Sequence, residues 1–250
     1  MNSAGATWLG HATVAIDLGG ERILTDPFLR SHVGPLRRVG PMPSSTTATE
    51  TTLVLVSHLH HDHLDLPSLR RIDAPVVVPR GGGDLVRRAG ARDVREVEPG
   101  DEVELRGVRV AAVPAHHPAG RFGYRGRAQP VGYLVADDQH TVYFAGDTGP
   151  DPRLAELPRG ADLALLPIGG WGLTLGEEHL GPRSAAALAR DLEPRLVLPI
   201  HWGSLQIPLL RHLRPQLGPL AGSRFAAELA QVAPATRALL VEPGGRVRLP

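Results

Sequence analysis

The stretch SHLHHDHLD, from Ser57 to Asp65, gathers four of the chain's 12 histidines and two aspartates. Imidazole nitrogens and carboxylate oxygens are what divalent transition ions bind when no thiolate is on offer. This chain has no cysteine, which also excludes disulfides and a cysteine nucleophile. His58 and His60 are two residues apart, so along an extended stretch they point the same way. Asp62 and His63 fall on the turn that follows and can face a second position. One tight loop can thus supply ligands to two adjacent cations, and a carboxylate can bridge them. Two ions about 3.5–4 Å apart hold a hydroxide between them and clamp a leaving oxygen, which is the chemistry of hydrolysis.

A solvated histidine-rich loop would account for this stretch alone. It would not account for three further places with the same layout. LVLVS leads to His58, VAAVPA to His116 and His117, VYFAG to Asp147 and LVLPI to His201. Each is an apolar strand running straight into His or Asp. Loops at the ends of buried strands are where sites are built on a rigid scaffold. If these strands lie in neighbouring sheets, their terminal residues converge.

The elements that must position them can be read from period and punctuation. ATVAIDL, the turn Gly19-Gly20 and RILT predict a hairpin. VGPLRRVGPMPSSTTATE, rich in Pro, Gly, Ser and Thr, predicts a loop. TTLVLVS and PVVVP read as strands; LPSLRRI and GGDLVRRAG, closed by Gly90, read as helices. From about Val94 to Ala145 the chain reads as mostly β. Strand and helix then alternate: PRLAELP helical, DLALLPI strand, GPRSAAALARDLEP helix with Pro182 in its first turn, RLVLPI strand, SRFAAELAQVA helix. ALLVEPGGRVRLP predicts a terminal hairpin across Gly244-Gly245. Two stretches of β followed by α/β predict an α/β fold: two sheets packed together with helices outside, in one domain spanning residues 1–250.

Bulk composition narrows the function. The chain is 42% hydrophobic and 21% charged, as a globular domain with a core requires. Its 27 basic and 26 acidic residues leave a net charge of +1. That gives no general pull toward nucleic acid or anionic membrane, and a tRNA-processing nuclease lacks its basic footprint here. All the basic residues are Arg, which genome composition explains as readily as anion binding. The N-terminus has no basic segment followed by an apolar core, so no signal peptide is expected. No apolar run approaches the ~18 residues of a membrane span. The expectation is a cytoplasmic enzyme with no stable membrane association.

HLHHDH fits the H-x-H-x-D-H motif and resembles that of the metallo-β-lactamase superfamily. WLGHATVAIDLGGERILTDPF resembles the family's opening hairpin, and PAHHPAGR, YFAGDTG and IHWGS resemble its later motifs, in order, over nearly the whole chain. WLGH and HWG are similar to the branch that includes L-ascorbate-6-phosphate lactonase and the N-acylphosphatidylethanolamine-hydrolysing phospholipase D. The resemblance implies a four-layer αββα sandwich. It puts His58, His60 and His117 on one metal, Asp62, His63 and His201 on a second, and Asp147 between them. Family members carry one His where this chain has His116 and His117, directly before an aromatic. The resemblance selects His117, although Pro118 stands where the aromatic would be. It implies two divalent ions, Zn²⁺ foremost, with Mn²⁺ or Fe also suited to an all-N/O ligand set. It leaves homo-oligomers open.

The remaining residues divide by weight of argument. Asp26, in LTDP, is either a turn former or a partner that hydrogen-bonds a metal-ligating imidazole from behind. His11 is placed near the site by the resemblance alone. His61 is expected to be exposed. Asp62 is expected to orient the nucleophile or take its proton. His179, in GEEHLGP, is either an exposed loop histidine or a proton donor to the leaving group. Trp171 and Trp202 neighbour the motifs, with packing the simpler role for both. The glycines of IGGWG permit a tight loop and form no phosphate cradle. His32, His140 and His212 read as surface residues.

The substrate is read as a small molecule: an ester, lactone or phosphoester. A phosphodiester or phospholipid would call for Arg, with Arg121, Arg125 and Arg127 of GRFGYRGR as candidates; a lipid would also want an apolar entrance, for which SLQIPLLRHL is the candidate segment. An iron-dependent oxidoreductase on the same fold is the rival enzyme class. A non-catalytic metal-binding scaffold would be supported by a lost ligand, and none is lost. The segments that must hold substrate specificity are Pro35–Glu50, Arg121–Arg127 and Gly169–His179.

Overall fold

The computed structural model of the chain describes residues 3–170, 175–208 and 220–250. The first half of the chain lays down β1 (Gly5–Trp8), β2 (Val14–Leu18) and β3 (Glu21–Thr25), then the short strands β4 (His32–Val33) and β5 (Leu36–Arg38). It continues with α1 (Thr47–Glu50), β6 (Leu53–Leu55), α2 (Leu66–Leu69), β7 (Val76–Pro79), α3 (Gly83–Arg88) and β8 (Val94–Val97). The second half gives β9 (Glu102–Leu105), β10 (Val108–Pro114), β11 (Val131–Ala136), β12 (Thr141–Phe144), a 3-10 turn at Pro152–Glu156 and β13 (Leu163–Pro167). It ends with α4 (Pro182–Leu192), β14 (Leu196–Ile200), β15 (Leu205–Gln206), α5 (Ala221–Val232), β16 (Arg237–Ala238) and β17 (Arg246–Arg248).

Two seven-stranded sheets result, ordered β17-β1-β2-β3-β6-β7-β8 and β16-β14-β13-β12-β11-β10-β9. Each opens antiparallel and becomes parallel, at β3–β6 in one and β12–β13 in the other. Period-2 alternation decides which layer each side chain enters. In β6, Leu53 and Leu55 face the second sheet, while Val54 joins the core under α2 and α3. In β13, Leu163 and Leu165 face the first sheet, while Ala164 and Leu166 pack under α4 and α5. Both faces of these strands are covered, so they read as continuous apolar runs. The layers are helix, sheet, sheet, helix: the four-layer αββα sandwich. No helix among the described residues is long and apolar enough to cross a membrane.

Gly19 and Gly20 close the β2–β3 hairpin with φ of 59° and 82°, the conformation a two-residue turn needs, with Leu18 opposite Glu21. Two expectations fail. The C-terminal hairpin across Gly244-Gly245 does not form. β16 pairs with β14 in one sheet and β17 with β1 in the other, so the segment between them bridges the sandwich. The glycines serve that crossing: Gly244 N–H donates to Trp8 O. The segment expected as loop from Val33 to Glu50 also contains structure. β5 pairs with β4 and, far away in sequence, with β15 through Leu205 opposite Arg38 and Gln206 opposite Arg37, a long-range pairing with no local signature.

Candidate metal centre

β1 is antiparallel to β2 and β2 to β3, so β1 runs with β3 and β6; by the same step β10 runs with β12, β13 and β14. The residues singled out from the motifs follow the C-terminal ends of these co-directional strands. His11 follows β1, Asp26 follows β3, and His58 to His63 follow β6. His117 follows β10, Asp147 follows β12 and His201 follows β14. The C-terminal edge of parallel strands is where α/β folds place ligands. Three of these residues, His11, Asp26 and His201, hold positive φ of 55°, 34° and 60°. Such backbone strain in non-glycine residues gathers at functional sites.

The donors form two adjoining groups. His58, His60 and His117 offer nitrogens within 4.8 Å of one another, as do the ligand atoms of His11, Asp62, His63 and His201. His58 Nε2 lies 2.9 Å from His60 Nδ1, and His117 Nε2 lies 3.1 Å from the same atom. His63 Nε2 and His201 Nε2 are 3.2 Å apart. A tetrahedral Zn²⁺ with bonds of about 2.0–2.1 Å spans nitrogens about 3.3 Å apart, so both groups are close to ligand spacing. Asp147 sits between them: its Oδ2 is 3.1 Å from His201 Nε2, 3.3 Å from His63 Nε2 and 3.9 Å from His117 Nε2. Its Oδ1 is buried and has no hydrogen-bond partner among the described residues.

The outward nitrogens explain the inward ones. His58 Nδ1 meets Ser57 Oγ at 2.9 Å, and Ser57 Oγ donates to Asp26 Oδ2 at 2.6 Å. His63 Nδ1 donates to Asp26 Oδ2 at 2.6 Å, His117 Nδ1 to Glu178 O at 2.9 Å and His201 Nδ1 to Gly169 O at 3.1 Å. Each partner is an acceptor, so Nδ1 carries the proton and Nε2 keeps its lone pair, the tautomer a metal ligand needs. His60 is the exception and presents Nδ1. His116, the alternative to His117, is exposed.

Electrostatics agree with a cation-binding cluster. Burial alone would raise Asp147, but His201, His63 and His179 around it hold its carboxyl well below the carboxylate range. Burial likewise works against Asp62, and the neighbouring His63 and His11 keep it ionised. Burial pushes His58 well below the ordinary imidazole value and His117 down to about 4. His63 goes the other way: burial would lower it, yet Asp147, Asp62 and Asp26 raise it well above the usual range. Ionised carboxylates buried among imidazole nitrogens are groups that divalent ions neutralise. The donor set and the orphaned Asp147 Oδ1 therefore fit the pair of ions that the motif implies.

Sequence comparison decides the family. The profile of the β-lactamase superfamily domain matches residues 21–202. The chain belongs to the metallo-β-lactamase superfamily. It is 32% identical over 214 residues to a UPF0173 metal-dependent hydrolase of Methanopyrus kandleri, covering 79% of this chain and 84% of that one. It is 31% identical over 233 residues to the mitochondrial N-acyl-phosphatidylethanolamine-hydrolyzing phospholipase D of Saccharomyces cerevisiae, covering 84% of this chain and 50% of the yeast protein. Against uncharacterized mycobacterial relatives of 30% identity, the chain spans 59% of their length. A metallo hydrolase from Ignicoccus hospitalis shares the fold at a TM-score of 0.74, with 23% identity and 98% of both chains covered.

Around this superfamily centre the structure places the remaining candidates. Asp26 lies fully buried beneath it, accepting from Ser57 N at 2.7 Å as well as from His63. His11, driven down to about 3 by burial and the nearby His201, donates Nε2–H to Asp62 Oδ2 at 3.0 Å. Its backbone is fixed by Ser204 Oγ, Trp8 Nε1 and His201 N. His179 is half-buried, with Nε2 3.4 Å from Asp147 Oδ2 and Nδ1 donating to Leu175 O at 3.0 Å. His61 is exposed and bonds Phe122 O.

Trp202 packs away from the donors, stacked on Trp8 at 5.7 Å. His32 is exposed. His140, expected at the surface, is half-buried, its backbone N–H donating to Asp137 Oδ1. Trp171 and His212 lie outside the described residues, as does part of SLQIPLLRHL, whose Leu205–Gln206 is β15.

Arg121 Nη1 donates to Leu59 O and Leu64 O at 2.7 and 2.9 Å, pinning the histidine loop. Ser57 and the carbonyls of Gly169 and Glu178 are functional partners that the motifs do not name. A serine before the first histidine is the only one of these with any sequence signal. Above the donors opens a cleft of about 770 Å³, floored by His60, Asp62, His117 and Asp147, with His179 on its wall.

Proposed function

We propose that the protein is a metal-dependent hydrolase that binds two divalent ions, natively Zn²⁺, and cleaves a small ester, lactone or phosphoester. The observation that carries this is Asp147: a buried carboxylate with one oxygen unpartnered, among five imidazoles that turn Nε2 inward and tie Nδ1 to acceptors outside. His58, His60 and His117 would hold one ion and Asp62, His63 and His201 the other, with Asp147 within reach of both groups. Such a pair supplies an ionised water at neutral pH and Lewis acidity for the substrate oxygen.

The chain's own groups do the rest. Asp62 is ionised at neutral pH, borders the cleft and is steadied by His11, so it orients the attacking water and accepts its proton. His179, half-buried on the cleft wall, keeps a higher proton affinity than an ordinary histidine. Burial works against this, but the Asp147 carboxylate outweighs it. It can therefore give a proton to the departing oxygen. The carbonyls of Glu178 and Gly169 keep His117 and His201 oriented. A diffusible substrate in the cytoplasm suits a near-neutral, cysteine-free chain.

The test is elemental analysis of protein from its native host, paired with ester, lactone and phosphoester substrates. The reading expects about two zinc ions per chain and turnover that Asp147→Ala abolishes together with the metal. Full activity of Asp147→Ala with an intact metal content would sink it. Iron at the site with no hydrolysis would favour the oxidoreductase.

A further inference from the structure

The walls of the cleft differ from its floor. Val33, Pro35, Leu36, Pro118 and Phe122 supply apolar surface to its lining. Phe122 is 95% exposed, a large apolar ring standing free at the mouth. Pro35 and Leu36 are held there by β5, the strand that pairs with β15. Among the described residues, the ionisable groups that line the cleft, apart from histidines, are Asp62, Asp147 and Glu178, with no Arg. Arg37, in β5, donates Nη1 to Gly34 O and Leu36 O. Arg121 donates Nη1 to Leu59 O and Leu64 O, Arg125 and Arg127 are exposed, and none of the four is in the lining.

We infer that the substrate is an uncharged carboxylic ester or lactone with an apolar acyl body, an inference that rests on the hydrolytic reading above. The acyl body lies between Leu36 and Phe122, and the reacting carbonyl sits over the donors. Apolar surface leaving water for these walls is favourable. An anionic body would lose its hydration there and meet Glu178 at the rim, with no guanidinium among the described lining residues to compensate. Sites that recognise phosphate present Arg forks or helix N-termini to its oxygens. In the reaction the water oxygen bonds to the acyl carbon and the acyl C–O bond breaks. The alkoxide oxygen takes the proton the water gives up; an ester leaves as one acid and one alcohol, a lactone as one hydroxy acid.

The experiment uses the zinc-loaded protein and p-nitrophenyl esters that share one leaving group. Hexanoate should exceed acetate in kcat/KM by about tenfold or more, the selectivity apolar pockets give for added methylenes. Mono-p-nitrophenyl adipate, equally long but ending in a carboxylate, should fall about tenfold below hexanoate. Glu178→Lys should recover the adipate ester, and Phe122→Ala should lower hexanoate more than acetate. Saturation-transfer NMR on the metal-free protein should detect hexanamide, with a weaker signal in Phe122→Ala. Equal rates for acetate, hexanoate and adipate, a higher kcat/KM for hexyl p-nitrophenyl phosphate than for the hexanoate ester, or no transfer to hexanamide would overturn the inference while leaving the hydrolase intact. No turnover of any substrate at full metal content would overturn the hydrolytic reading and this inference with it.

Discussion

Asp26 Oδ2 accepts the Nδ1–H of His63 at 2.6 Å, across 37 residues of sequence. The same oxygen accepts the Ser57 hydroxyl, which in turn meets His58 Nδ1. One buried carboxylate thus orients an imidazole in each of the two donor groups. Losing it should loosen both. Asp26→Ala is expected to weaken zinc binding about 10–100-fold, as removal of such outer partners does, and to strand the buried Ser57 N–H. Chelator competition reads the affinity; unchanged affinity would reduce Asp26 to a turn former.

Acid should destabilise the metal-free protein. His11 and His117 are neutral in the folded state, with values of about 3 and about 4. Unfolded histidine titrates near 6.5, so below that pH the unfolded chain binds protons the folded chain does not. The contribution of these two is full above about pH 6.5 and is lost as pH drops toward 4. Each such histidine contributes ~1.4 kcal/mol per pH unit in that window. His63 and His179, raised in the fold, act in the opposite sense only above about pH 6.5, where their contribution is lost as pH rises, so the acid limb belongs to the buried neutral histidines. Thermal unfolding of chelator-treated protein from pH 7 to 5 should show the loss, and His117→Gln should flatten it. A flat profile in the parent protein would contradict the buried neutral histidines.

Gly146 delivers Asp147. Its φ is 61°, and a Cβ there would lie 2.5 Å from Ser57 Cβ. Gly146→Ala should cost ~1–3 kcal/mol through backbone strain alone, with the clash adding to it, and should lower the metal stoichiometry by moving Asp147. Urea unfolding and elemental analysis check both; retention of both ions at parental affinity would show that the strands can separate without cost to the site.

Two arginines of one loop should behave differently. Arg121→Ala strands Leu59 O and Leu64 O and should cost ~1–3 kcal/mol, with weaker metal binding as the histidine loop loosens. Arg125→Ala, at an exposed position, should stay within ~0.5 kcal/mol of the parent. Equal effects in urea titrations would remove the pinning role assigned to Arg121.

Much of the fold follows from local pattern. LVLVS, DLALLPI and LVLPI form strands because continuous apolar runs bounded by turns suit a sheet covered on both faces. Gly19-Gly20 forms its hairpin because the turn needs two positive φ angles. The β4–β5–β15 sheet and the division of β16 and β17 between sheets had no such signal. Their partners lie far away in sequence, and two-residue strands carry no periodicity. The terminal glycines resemble a hairpin turn locally, and only Trp8 and β1 draw the chain to the other sheet.

The donor types, their order and the spacing within Ser57–Asp65 were set by the sequence itself, since short-range geometry fixes how close neighbours along a chain can face. What the tertiary structure alone decided is which nitrogen each histidine presents and what surrounds it. Ser57 and Asp26 behind His58 and His63, the Glu178 carbonyl behind His117, and Arg121 pinning the histidine loop all depend on contacts between distant segments. So does the apolar wall of Leu36 and Phe122. Ligand identity is a property of residues, whereas tautomer, charge and pocket lining are properties of the packing that brings those residues together.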